Sequence, residues 1–154
     1  MKYRIVLMIS IAAFLFSSCA QKSVPPVIHA KPARIALVLG AGASKGFAHV
    51  GVLKVLEANR IPIHMIIGTS AGSFVGSLYA YGYNSFQLQE IAVQLDKSHV
   101  ADFIIPDNGF LKGEKLENYV NFMLGNTPME KLKIPFYAVA TDIRNGEEVV
   151  FGSG

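Results

Sequence analysis

The stretch His64-Met65-Ile66-Ile67-Gly68-Thr69-Ser70-Ala71-Gly72-Ser73-Phe74 (HMIIGTSAGSF, residues 64–74) decides how the chain is read. Three apolar residues run into a serine set between two glycines, and small residues follow. Gly-x-Ser-x-Gly is a short pattern that arises by chance, so its context matters: strand, then serine, then helix. A nucleophilic serine must project from a tight turn where neighbouring side chains would collide, and Gly68 and Gly72 remove those side chains. Ser70 then opens a helix, whose unpaired N–H groups and partial positive charge favour a developing anion. Serine is also a favoured helix N-cap. The residues of this stretch alone leave nucleophile and cap both open.

Working outward, Ile35–Leu39 (IALVL) is a short continuous apolar run ending at glycine, which predicts a buried parallel strand. A loop of small residues, Gly40 to Gly46, follows. Phe47 to Ala58 reads as a helix with Val50, Leu53 and Leu56 at related spacings, and Pro62 lies just beyond it. Ile63–Ile67 is a second buried strand. Gly72, Gly76 and Ala80 recur every four residues, a stripe that lets a helix pack close to a sheet, with Gly82 as its stop. Asn84 with Gln87 forms a capping-box pattern opening a helix to about Leu95. Residues 98–113 read as irregular, Glu114–Leu124 as helix and Phe136–Thr141 as a third strand. Arg144-Asn145-Gly146 is a turn signal before a return strand, Glu147–Phe151. Strands alternating with helices predict an α/β layered domain with a mostly parallel sheet.

The glycine loop bears on Ser70. Ester hydrolysis needs donors aimed at a tetrahedral oxyanion, and losing one costs about 10²–10³ in rate. Gly40, Ala41, Gly42 and Ala43 supply backbone amides at the C-terminal end of the first strand. If the two strands are neighbours, both turns face the ligand edge of the sheet. Two phosphate readings fit less well. A dinucleotide loop expects an acidic residue about 20 positions on, and Met65-Ile66-Ile67-Gly68-Thr69-Ser70 contains none. A Walker loop needs Gly-Lys-Ser/Thr, whereas Lys45 precedes Gly46.

The segment LVLGAGASKGFAHVGVLKVLEANRIPIHMIIGTSAGSFVGSLYA, residues 37–80, resembles the opening of a patatin-like phospholipase domain. Gly40, Gly42, Lys45 and Gly46 match the family's oxyanion loop, with Ala41 and Ala43 where glycines are common. Gly68-Thr69-Ser70-Ala71-Gly72 matches its nucleophile elbow. Residues 109–125 and 132–154 resemble later family segments, so the likeness spans roughly 33–154. It implies a three-layer patatin-like α/β fold and a serine lipid acyl hydrolase that uses a Ser-Asp dyad with no cofactor or metal. Ser70 would be the nucleophile, Gly40–Ala43 the oxyanion hole, and phospholipid or another lipid ester the substrate.

The family's aspartate lies in a downstream Asp-Gly-Gly or Asp-Gly-Ala motif. Asp96, Asp102, Asp107 and Asp142 are each followed by another residue. The expectation is therefore a chain whose C-terminal part, with the aspartate, is missing. The alternative is a catalytically inactive lipoprotein fragment or a pseudoenzyme with a binding role. Asp142, after a strand end, is the one local substitute weighed, against a turn-capping role. His29, His49, His64 and His99 have no support as a base, and Lys45 reads as a loop-positioning or anion-steering residue.

Residues 1–18 carry Lys2 and Arg4 ahead of an apolar run from Ile5 to Phe16, a secretory signal shorter than the roughly 20 residues that span a bilayer. The single cysteine, Cys19, follows Ser17 and Ser18 and resembles the lipidated cysteine of bacterial lipoproteins; Phe16 stands where leucine is usual. The expected organisation is signal peptide 1–18, lipid-anchored linker 19–32 with Pro25 and Pro26, and the domain 33–154. The expected location is the bacterial cell envelope, on the periplasmic face of an outer membrane if one is present, or else secretion. Removing residues 1–18 leaves 12 of the 14 basic residues against 11 acidic ones, a net of +1. That balance gives no basic footprint for nucleic acid, and one cysteine excludes an internal disulfide.

Overall fold

The computed structural model describes Lys31, residues 33–95 and residues 113–154, and the fold below is that of the unit Ala33–Gly154. Cys19, the expected signal and linker, Asp96, Asp102, Asp107, His29, His99 and the irregular stretch lie outside the described residues.

Four strands form one sheet in the order β1 (Ala36–Leu39), β2 (Met65–Gly68), β3 (Phe136–Thr141), β4 (Glu148–Phe151). The first three are parallel; β4 returns antiparallel beside β3. The turn into β4 is the expected one: Gly146 has φ +78° and its N–H donates to the Asp142 carbonyl. Among the described residues four α-helices follow the expected boundaries closely: α1 (Phe47–Ala58), α2 (Ala71–Tyr81), α3 (Ser85–Gln94) and α4 (Glu114–Met123), with one 3₁₀ turn at Ala43–Gly46 and another at Met129–Lys131.

Parallel register puts Leu39 beside Gly68 and Ile66 beside Phe136, so Leu37, Leu39, Ile66, Gly68, Phe136 and Ala138 share one face. Helix α2 lies on it with its small-residue stripe inward. A Cβ added at Gly76 would come within 3.0 Å of Ile66 Cγ2 and 3.1 Å of Phe136 Cε2, and Ala80 is fully buried. The close approach seats Leu39, Ile66, Val75, Leu78 and Phe136 in one core with Val50 and Leu53 of α1 and Leu88 of α3. Each such side chain contributes about 1.5–3 kcal/mol on burial. On the opposite face Val38 is 68% exposed; the described helices cover one side of the sheet.

A buried polar cluster ties the helices together. Asn84 and Gln87 make the expected capping box at the start of α3. Ser85, fully buried, adds its N–H and hydroxyl as donors to the Glu57 carboxylate of α1. Tyr79 of α2 also bonds Glu57, and burial, then this carboxylate, raise its phenol above the usual value. One carboxylate thus joins α1, α2 and the N-terminus of α3, where a negative charge is favoured.

Candidate active site

Ser70 sits between the C-terminal end of β2 and the first residue of α2, with φ +51° and ψ −122°. An L residue reaches positive φ only against its own Cβ, and strain of this kind runs to about 1–3 kcal/mol. The hydroxyl makes no capping bond, so the N-cap role left open by the sequence is not the one it plays. The turn is closed by backbone alone. Thr69 N–H donates to the Leu39 carbonyl (3.1 Å), Gly72 N–H to Thr69 (3.0 Å), and Ser73 N–H to Ser70 (2.9 Å).

Both elbow glycines are sterically required. A Cβ at Gly68 would lie 2.6 Å from Ser73 Cα; one at Gly72 would overlap the Leu39 carbonyl oxygen and lie 2.7 Å from that of Gly40. Gly72 is thus the point where the elbow touches the end of β1 and the glycine loop.

The loop reaches the elbow a second time through Gly46, whose added Cβ would fall 2.6 Å from Ala71 Cβ. The two small-residue turns, 24 residues apart at Gly46 and Ser70, meet at one edge of the sheet because β1 and β2 are hydrogen-bonded neighbours. Among the described residues the N–H groups of Gly42, Ala43 and Ala71 have no acceptor. Gly42 and Ala43 lie in the loop that packs on the elbow, and Ala71 follows Ser70, whose residue is exposed.

Within the loop the glycines are not sterically equivalent. A methyl added at Gly40 meets nothing within 4 Å, and at Gly42 only ordinary contacts from 3.5 Å. Gly42 is extended, with φ 173°, whereas its neighbour Ala43 takes φ +46°. The left-handed step therefore falls on an alanine, and the position that excludes a side chain is Gly46.

His49 is the residue sequence reasoning undervalued. Its Nε2 lies 2.8 Å from the Gly40 carbonyl oxygen. A carbonyl only accepts, so Nε2 carries the proton and the ring anchors the loop from the first turn of α1. The side chain of Lys45 is exposed and has no partner among the described residues, while its N–H donates to Gly42 (2.9 Å).

Two sequence candidates are placed elsewhere. His64 precedes β2, at the opposite end of the strand from Ser70, and its Nδ1 accepts from the Ile35 N–H at 3.0 Å. Asp142 accepts from the Arg144 side chain (2.7 and 3.1 Å) and backbone N–H (2.9 Å), which hold its carboxyl below the ordinary value. That is the turn-capping role, and the low value makes it a weak base.

Two cavities flank the first turns of α2. One, about 300 Å³, runs between α1, α2 and α3 from Ala43, Ser44 and Ala71 to Leu78 and Leu88. The other, about 260 Å³, is lined by Ser70, Ser73, Ser77, Asn121 and Thr127 together with apolar residues of α4 and β3. Phe74 borders both and stacks at a tilt on Tyr119, with centroids 6.1 Å apart.

An α/β sheet with a strained strand–serine–helix turn beside free loop amides defines a class of acyl-transfer folds. Comparison with known proteins names the family. The family model for patatin-like phospholipase matches residues 37–153. The yeast Lodderomyces elongisporus lysophospholipase NTE1 is 34% identical over 126 residues, which is 78% of this chain and 9% of that protein. Human patatin-like phospholipase domain-containing protein 6 is 35% identical over 115 residues, 71% of this chain and 8% of that protein. The crystal structure of the type III effector ExoU superposes with a TM-score of 0.59 at 13% identity, covering 79% of this chain and 36% of that one. The chain belongs to the patatin-like phospholipase family, and it spans a small fraction of the length of these relatives.

Proposed function

We propose that the protein is a serine acyl hydrolase acting on phospholipid or lysophospholipid esters. The reading is carried by one observation: Ser70 is exposed and held at φ +51° with no capping bond, on a turn packed against a loop whose Gly42 and Ala43 amides have no acceptor among the described residues. In the proposed reaction Ser70 Oγ attacks the ester carbonyl carbon and its proton passes to a base. The N–H groups of Gly42 and Ala43, with Ala71 beside them, receive the oxyanion. The tetrahedral intermediate expels the alcohol, which takes the proton back, and water then frees the acid from the acyl-enzyme. The base is proposed from the family resemblance: an aspartate in an Asp-Gly-Gly or Asp-Gly-Ala motif, which these 154 residues do not contain. Gly40 and Ala41 complete the oxyanion loop, and Lys45 steers the anionic head group.

We also propose that Cys19 carries a lipid that keeps the enzyme at an envelope membrane next to its substrate. Acyl anchoring gives about 0.8 kcal/mol per buried CH₂. Radiolabelled palmitate should enter the full-length protein and not Cys19→Ser.

Fluorophosphonate labelling of the full-length protein tests the nucleophile. Wild type is expected to label and Ser70→Ala to stay blank; equal labelling of both would overturn the assignment.

A further inference from the structure

We infer that the 300 Å³ cavity between α1, α2 and α3 takes a single straight acyl chain of medium length. The inference deepens the Ser70 reading and rests on it for orientation. Three observations carry it.

The first is continuity. The cavity is lined by Ala43 and Ser44 of the loop, both exposed, by the buried Gly46 and by Ala71, the residue after Ser70. Ser70 itself lines the second cavity and its neighbour Ala71 the first, so a ligand whose carbonyl sits at Ser70 has both within reach. The second is chemistry. Ser44, at the mouth, is the one polar side chain among the described lining residues. The deeper wall is Val50, Val75, Leu78, Leu88 and Ile91. Nothing there can satisfy a hydroxyl, amide or charge, so a polar head group would lose its water without replacement. The second cavity, which holds Ser70, Ser73, Ser77, Asn121 and Thr127, has the side chains that a head group or a water needs. It also carries apolar residues such as Leu116, Val120 and Phe136, so the first cavity differs from it in lacking polar partners below Ser44.

The third is depth. Ala71, Phe74, Val75 and Leu78 line the cavity along one face of α2. Seven residues of helix from Ala71 to Leu78 span about 10 Å. Leu78 and Leu88, buried core residues at 1% and 2% exposed, form the deep end. An extended chain advances roughly 1.2 Å per bond, judged from ~3.5 Å per three backbone bonds. The cavity therefore accommodates on the order of eight carbons along that depth.

Binding of unesterified acids tests this without turnover. Straight-chain carboxylates from butanoate to hexadecanoate, below their micelle concentrations, would compete with a fluorescent fatty acid on the full-length protein. Affinity is expected to rise about fourfold per methylene and to flatten near eight carbons. Ala92→Phe, which fills the cavity from the half-buried face of α3, is expected to erase the slope. Val120→Phe in the second cavity, and Ser70→Ala, are expected to leave it unchanged. Thermal melts report whether each variant is folded, and the wild-type ladder stands without any of them. A flat wild-type ladder, a slope that survives in folded Ala92→Phe, or one lost only in Val120→Phe would each overturn the acyl assignment. Equal fluorophosphonate labelling of wild type and Ser70→Ala would instead remove the nucleophile, so the two failures are separable.

Discussion

In the Gly68–Gly72 elbow, backbone bonds to Leu39, Thr69 and Ser70 close the turn, and neither glycine has room for a Cβ. In the Gly40–Gly46 loop, Gly40 and Gly42 have that room, and the hold comes from a side chain, His49, on the Gly40 carbonyl. The nucleophile's mount is thus built by packing against the sheet. The amides beside it are positioned by that His49 bond, by the Lys45 N–H bond to Gly42 and by the Gly46–Ala71 contact. The two regions touch, yet they should respond to substitution in different ways.

The largest contrast is between glycines. Gly72→Ala forces a methyl into the end of β1 and is expected to cost more than about 4 kcal/mol, or to prevent folding, as overpacked and strained sites do. Gly40→Ala should stay within about 0.5 kcal/mol. Urea denaturation of the two variants compares them directly; similar losses would mean that the loop is as tightly packed as the elbow.

His49→Ala separates position from stability. Losing one hydrogen bond should cost about 1 kcal/mol of stability. The fluorophosphonate labelling rate should fall roughly tenfold, short of the 10²–10³ for losing a donor outright. His49→Gln, which can still donate to Gly40, should recover part of the rate. An unchanged rate in His49→Ala would show that the loop holds itself.

The smallest effect concerns Asp142, in the turn after β3. Its carboxyl lies below the ordinary value of 3.8, chiefly through the Arg144 side chain. A lowered folded value adds stability above the unfolded pKa, and that stability is lost as pH falls through the folded one. Asp142→Asn should therefore destabilise slightly at pH 7, with a deficit that shrinks as pH falls below the ordinary value of 3.8, by thermal melts. A deficit that persists at low pH would point to the hydrogen bonds rather than the charge.

Much of this was legible in sequence because the signals are local. Helix α1 begins at Phe47 and ends at Ala58 as its periodicity and Pro62 indicate, and the capping box at Asn84 and Gln87 lies three residues apart. The stripe Gly72, Gly76, Ala80 faces the sheet as a four-residue repeat requires. The second strand is displaced from the expected 63–67 to Met65–Gly68. Parallel pairing of Ala36 with Met65 fixes it there, and His64 bonds Ile35 just outside. What stayed hidden is long-range. Gly46 on Ala71, His49 on Gly40 and Glu57 on Ser85 join residues whose partnership no local pattern marks. That Gly46 excludes a side chain while Gly40 and Gly42 do not was likewise hidden, because only the neighbouring chain decides whether a Cβ would collide.

The most direct measurement is a crystal structure of the full-length protein carrying a phosphonate on Ser70. The phosphoryl oxygen, which stands in for the tetrahedral oxyanion, is expected within about 2.7–3.1 Å of the Gly42 or Ala43 N–H, with its alkyl chain running past Ala71 between α1 and α3. An adduct whose oxygen turns away from residues 40–46, with those amides bonded elsewhere, would contradict the pairing of elbow and loop.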